Sequence, residues 1–183
     1  MELKKHLEHL SYGWQQTLTA NTSPSCCYEL VNGHGYLEPG ASVDPNQDYL
    51  AYAVLSPTRT SATIWKLINA YPSCFHLCNV RTGEYLMVAP NDAVYSVNKT
   101  QLRSYAPSAF IFGVSYPAWP SRSARITNMR KLQALCASSK LELISQKKQI
   151  VTVPAQPGPE ATYGVACEWH LVQQASCPTD DRC

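Results

Sequence analysis

The feature that most constrains this sequence is a unit written three times. Its clearest copy is Phe75-His76-Leu77-Cys78-Asn79-Val80-Arg81-Thr82-Gly83-Glu84-Tyr85-Leu86, in which alternating apolar residues lead to an Asn, a turn carrying Gly83 and a second strand. A degraded copy, Tyr28-Glu29-Leu30-Val31-Asn32-Gly33-His34-Gly35-Tyr36-Leu37, lies upstream. A fainter one, Ala124-Arg125-Ile126-Thr127-Asn128 with Leu132 and Leu135, lies downstream. Each copy closes on an aromatic inside an apolar strand, at Trp65, Phe112 and Trp169. The distances to it from the opening Leu30, Leu77 and Ile126 are 35, 35 and 43 residues. A unit of four short strands cannot bury its apolar face alone, so the three copies must share one core.

Strands are predicted near 28 to 32, 35 to 38, 49 to 55 and 61 to 68 in the first copy, and at 84 to 89, 93 to 97 and 109 to 115 after the opening strand of the second. The third copy shows alternation at Leu141-Glu142-Leu143-Ile144 and at Gln149 to Val153. Its longer spacing is accounted for by Pro154-Ala155-Gln156-Pro157-Gly158-Pro159, a proline-rich insertion expected as an exposed loop. Polar loops fall at Asp44-Pro45-Asn46-Gln47-Asp48 and at Ala89-Pro90-Asn91-Asp92, with Ser138, Ser139 and Lys140 as the expected match in the third copy.

Three units of about 45 residues, each opening on an apolar strand that ends in Asn and closing on Trp65, Phe112 or Trp169, resemble a β-trefoil. The run Gly83-Glu84-Tyr85-Leu86, followed by a polar turn and an alternating strand, is similar to trefoils of the ricin-B-lectin and fascin-like kinds. The resemblance implies an all-β fold of three four-stranded repeats, at about 28–68, 74–116 and 124–172, forming a six-stranded barrel closed at one end by three hairpins. The expected core comprises Leu30, Leu37, Ile64, Leu67, Leu77, Leu86, Phe112, Val114, Ile126, Leu135, Leu143, Trp169 and Leu171. Ricin-type lectins close each repeat on Gln-x-Trp. The triplets here are Thr63-Ile64-Trp65, Phe110-Ile111-Phe112 and Cys167-Glu168-Trp169, which makes the aromatics core residues.

Outside the repeats, Leu3, Leu7, Leu10, Trp14 and Leu18 recur at helical spacing with Lys4, Lys5, Glu8 and Gln15 on other faces. This predicts an N-terminal amphipathic α-helix within a segment 1–24, ahead of a trefoil domain 25–173 and a cysteine-containing tail 174–183. Its apolar stripe must dock on its own barrel or on a neighbour's, which makes self-association into a homo-oligomer one expectation.

Composition removes several functions. The net charge of +2 is dispersed over 183 residues, which argues against nucleic acid as a partner. No apolar run approaches the roughly 20 residues needed to span a bilayer. The eight cysteines are an even and rich set that favours an oxidising, extracellular setting over the cytoplasmic one expected if Met1 is the native start. Cys177 and Cys183 are read as a local disulfide, while Cys78, Cys136 and Cys167 read either as small core residues or as bridged ones. Asn21-Thr22-Ser23 and Asn98-Lys99-Thr100 are glycosylation sequons, making Asn21 and Asn98 candidate acceptors.

No catalytic signature is present, and a non-enzymatic protein without cofactor or catalytic residues is expected. Cys74-x-His76-x-Cys78 lacks a second ligand pair at zinc spacing, so no metal site is assigned. Sugar recognition needs a few convergent polar groups beside an aromatic face. Asp44, Asn46, Asp48 and Tyr49 in the first repeat, and Asn91, Asp92, Tyr95 and Asn98 in the second, are the candidates for it. The expected function is lectin-like binding of carbohydrate. The competing expectation is a protein-protein module, a protease inhibitor or extracellular ligand acting through loop 154–162, or a self-assembling structural protein using the N-terminal helix.

Overall fold

A computed structural model describes residues 27–44, 50–116, 123–154, 165–179 and 181–183. The proposed helix at 3–18, its Leu3, Leu7, Leu10 and Trp14, Asn21, Cys26 and most of loop 154–162 lie outside these residues. Twelve strands are described, four per repeat. The first repeat holds β1 (Cys27–Asn32), β2 (Gly35–Asp44), β3 (Leu50–Ser56) and β4 (Ile64–Tyr71). The second holds β5 (Cys74–Asn79), β6 (Tyr85–Val88), β7 (Val94–Val97) and β8 (Phe112–Ser115), and the third β9 (Arg125–Asn128), β10 (Gln133–Leu141), β11 (Lys148–Pro154) and β12 (His170–Gln173).

The first and fourth strands of the repeats make a barrel. β1 pairs with β12 and β4, β4 with β5, β5 with β8, and β8 with β9, all antiparallel, and a bridge between Ala124 and Trp169 closes the ring. The second and third strands form three hairpins, β2–β3, β6–β7 and β10–β11. These hairpins also pair with one another, β3 with β7, β11 with β3, and Ala93 with Val151. A closed barrel capped by a triangle of hairpins is a β-trefoil, and closure leaves the barrel strands no free edge.

Threefold symmetry is written in the core. Leu30, Leu77 and Ile126 come from the first strands, Leu37, Leu86 and Leu135 from the second, Leu55, Val94 and Ile150 from the third, and Trp65 and Phe112 from the fourth, with Trp169 immediately ahead of β12; all are buried in one cluster. Burying each such side chain stabilises the fold by roughly 1.5–3 kcal/mol. The indole N–H of Trp65 donates to the Leu37 carbonyl at 2.8 Å and that of Trp169 to the Leu135 carbonyl at 2.9 Å. A second cluster lies outside the barrel in the second repeat, around Met87, Tyr95 and Phe110.

The Asn that ends each opening strand ties neighbouring repeats together. Asn32, Asn79 and Asn128 donate to the carbonyls of Ala166, Ala62 and Ala109, each three residues before a closing aromatic. Their Oδ1 atoms accept backbone N–H groups of the following turn, from His34, Thr82, and Arg130 with Lys131. The turn then needs a left-handed residue, supplied by Gly83 at φ 73° and, in the third repeat, by Leu132 at φ 55°.

Three expectations are corrected. Leu143 is not core but 88% exposed, because Leu141–Ile144 is not a strand: β10 ends at Leu141 and Leu143-Ile144 form the hairpin tip. Glu142 is instead the buried member, its carboxylate lying against Gly40, where a Cβ would sit 2.6 Å from Glu142 Oε1. The third-repeat match to the polar loops is therefore 142–147, Ser138–Lys140 being strand. Finally, Cys177 and Cys183 are both bridged but not to each other. The pairs are Cys27–Cys177, Cys78–Cys183 and Cys136–Cys167.

The first two pairings follow from the path of the tail, which crosses β1, β4 and β5 as a strap. Cys177 meets Cys27 on β1, Asp181 pairs with Lys66 on β4 at 2.5 Å, and Cys183 meets Cys78 on β5. The Arg182 N–H donates to the Val80 carbonyl. A chain laid across three strands cannot also fold back to bridge its own ends. Cys74 is buried and unbridged, so within Cys74-x-His76-x-Cys78 only one cysteine has a free thiol, and His76 Nδ1 is engaged by the Phe110 carbonyl.

Candidate functional site

Where the β2–β3 and β6–β7 hairpins meet, polar and aromatic groups from four segments converge. Asp44 ends β2, Tyr52 lies in β3, Asn91 in the 89–93 turn, and Tyr95 in β7 directly across from Tyr52. The Tyr52 hydroxyl donates to Asp44 Oδ2 at 2.6 Å and the Tyr95 hydroxyl donates to the same oxygen at 2.9 Å. Asn91 Nδ2 donates to the Tyr95 hydroxyl oxygen at 3.3 Å. The two phenol rings are tilted by 31° with centroids 4.9 Å apart, inside the range of favourable aromatic pairs.

Local sequence explains the placement. Tyr52 and Tyr95 are register partners, so both rings emerge on the same face of the paired strands. Asn91 Oδ1 accepts the Ala93 N–H, and Asp92 at φ 68° completes the tight turn that holds the amide out at the rim. Asp44 is buried and Tyr95 fully so, Tyr52 is half-buried and Asn91 exposed. Surface access to the cluster therefore runs through Asn91 and Tyr52, with Asp44 and Tyr95 as the supporting layer.

Burial pushes both phenols above the ordinary tyrosine value, and at Tyr52 the hydrogen bond to Asp44 adds to it. At Tyr95 the Asn91 hydrogen bond opposes the rise without cancelling it. Phenols held protonated at neutral pH donate and accept hydrogen bonds and are poor nucleophiles.

Of the predicted residues, the structure brings together Asp44, Asn91 and Tyr95. Asp92 turns away to an ion pair with Lys131, and Asn98 is occupied with its own turn. Asn46, Asp48 and Tyr49 lie outside the described residues. Tyr52 was missed because it reads as a member of an apolar strand; its register opposite Tyr95 is the signal that singles it out.

A second polar assembly flanks the first repeat. Buried Glu29 accepts from Arg59 at 2.5 Å, from Thr63 at 3.2 Å and from Gln174 at 3.2 Å, while buried Glu38 is paired with Lys147. Glu29 and Glu38 thus each have a cation, which is the arrangement that avoids the cost of an unpaired buried charge.

No family model matches this sequence, and no curated protein sequence matches it. Solved structures do. A designed threefold-symmetric protein, ThreeFoil, superposes with a TM-score of 0.56 at 14% identity, covering 80% of this chain and 97% of that one. A Culex quiquefasciatus salivary protein of the cysteine- and tryptophan-rich family gives 0.60 at 16% identity, covering 82% and 95%. A Polyporus squamosus lectin, solved with a sialylated epitope, gives 0.57 at 10% identity over 82% of this chain and 50% of the lectin. At these identities the likeness establishes the β-trefoil fold.

Proposed function

We propose that this protein is a non-enzymatic binding module whose ligand is a carbohydrate, held at the rim where the first and second hairpins meet. The observation that carries the reading is the convergence of the exposed Asn91 amide with the half-buried Tyr52 ring over the Asp44 carboxylate. An amide that both donates and accepts suits a pair of sugar hydroxyls, and a tyrosine face suits the apolar side of the ring. The likeness to a fungal lectin of the same fold supports it. The test is a glycan array followed by titration of the best ligand. Asn91→Ala should weaken binding about tenfold, the effect of losing about 1.4 kcal/mol. Tyr52→Phe, which keeps the ring face, should retain most of it. No glycan above background, or unchanged affinity in Asn91→Ala, removes the reading.

A second reading is self-association, favoured by Leu143 at 88% and Ile144 at 74% exposure on the tip of the third hairpin. Light scattering decides it: an oligomer that becomes monomer on Leu143→Ser with Ile144→Ser supports it, and a monomeric parent chain excludes it.

A further inference from the structure

We propose that Asn98 is an N-glycosylation acceptor, so that this protein carries a covalent oligosaccharide on the second repeat. Eight asparagines occur in the chain and two of them, Asn21 and Asn98, begin an Asn-x-Ser/Thr sequon. Asn32, Asn79 and Asn128 are buried, with both ends of each amide used by the fold, and none begins a sequon. At Asn98 the whole sequon is surface: Asn98, Lys99 and Thr100 are all exposed, in the turn that follows β7.

The geometry sorts the two ends of the Asn98 amide. Its Oδ1 accepts from Thr100 Oγ1 at 2.5 Å, from the Thr100 N–H at 3.1 Å and from the Gln101 N–H at 3.2 Å. The Nδ2, the atom to be modified, meets no acceptor among the described residues. A glycan there costs the fold no hydrogen bond and buries no polar surface. In the transfer, Asn98 Nδ2 attacks the anomeric carbon of a lipid-pyrophosphate-linked oligosaccharide. The N–C bond forms as the C–O bond to pyrophosphate breaks, the lipid pyrophosphate leaves, and the amide proton passes to a base. There is no net redox change.

The compartment is argued independently from the cysteines. Three disulfides, two of them fastening the terminal strap, need an oxidising environment to form and persist, and that is where such a transferase works. Asn98 follows β7 at the end away from the Asn91 turn, four residues of strand or roughly 13 Å distant. A glycan on it leaves the Asn91 rim open, so this inference stands apart from the binding reading.

The experiment is translation of the full chain, behind a cleavable secretory leader, into eukaryotic microsomes, with gel mobility read before and after peptide:N-glycosidase. A glycosidase-sensitive step should be lost in Asn98→Gln and in Thr100→Ala and kept in Thr100→Ser. Asn21→Gln is the control for the other sequon. Peptide mapping after the glycosidase should find Asp at position 98. Recovery of the 98-containing peptide as unmodified Asn, or mobility unchanged by Thr100→Ala, overturns the assignment.

Discussion

The side-chain amide of Asn79 donates to the backbone carbonyl of Ala62 at 2.7 Å, joining the second repeat to the first. The same bond recurs at the two other seams, from Asn128 to Ala109 and from Asn32 to Ala166. Removing the amide strands a carbonyl and frees the turn that Oδ1 holds. Asn79→Ala should cost about 1–3 kcal/mol in urea unfolding. An unchanged midpoint would show that the seams are held by packing alone.

The closing aromatics make a graded test. Phe112 occupies in the second repeat the place that Trp65 and Trp169 occupy in the others. Trp65→Phe therefore keeps a ring but orphans the buried Leu37 carbonyl, at a cost of about 1–3 kcal/mol. Trp65→Ala adds a cavity and should cost about 3–5 kcal/mol. Thermal denaturation of the pair separates the two contributions, and an unchanged midpoint in Trp65→Phe would contradict the hydrogen-bond assignment.

Much of this architecture was legible because inward leucines and closing aromatics repeat at nearly fixed spacing. The third copy was faint for a local reason, Leu132 standing in the left-handed position that Gly83 marks in the second. Leu143 misled because Leu141-Glu142-Leu143-Ile144 alternates like a strand, yet the hairpin buries its glutamate and exposes its leucine. Disulfide partners 150 and 105 residues apart depend on the route of the tail across three strands, a relation that local spacing does not encode. At the candidate site Asn91 and Asp44 stood out as turn residues, whereas Tyr52 was hidden by its strand.

Alkaline pH should act on the phenol pair. Burial first, and then Asp44, raise Tyr52 above the value of about 10 it has in the unfolded chain. The unfolded state then releases its proton first. The contribution is complete below about pH 10 and is lost as pH rises beyond it. Tyr52→Phe should lessen the fall of the urea midpoint above pH 10 relative to the parent chain; parallel profiles would exclude this coupling.

Acid acts on the strap in the opposite sense. Burial alone would raise Asp181, but the Lys66 ammonium and the Cys183 N–H together hold its carboxyl below the ordinary value. A depressed carboxyl contributes stability above its unfolded pKa and loses it as pH falls through the folded one. Asp181→Asn should flatten that acid dependence, measured as unfolding midpoint against pH below about pH 4.

Opening a bridge should cost more the longer the loop it closes, though only with the logarithm of that length. Chain-entropy arguments give about 5 kcal/mol for Cys27–Cys177, with separation 150, and about 3.7 kcal/mol for Cys136–Cys167, with separation 31. Paired serine replacements compared by urea unfolding should rank in that order, and the reverse ranking would show that packing around Cys136 outweighs loop length.

The bridge between Cys27 and Cys177 also makes the intervening polypeptide a covalent ring. A protease that cuts once at any bond between those two cysteines leaves a nicked molecule with unchanged mass apart from one water, still held as a single piece. The damage becomes visible as two fragments only when reductant is added. Survival of a digest on a non-reducing gel is thus no evidence that the backbone is intact.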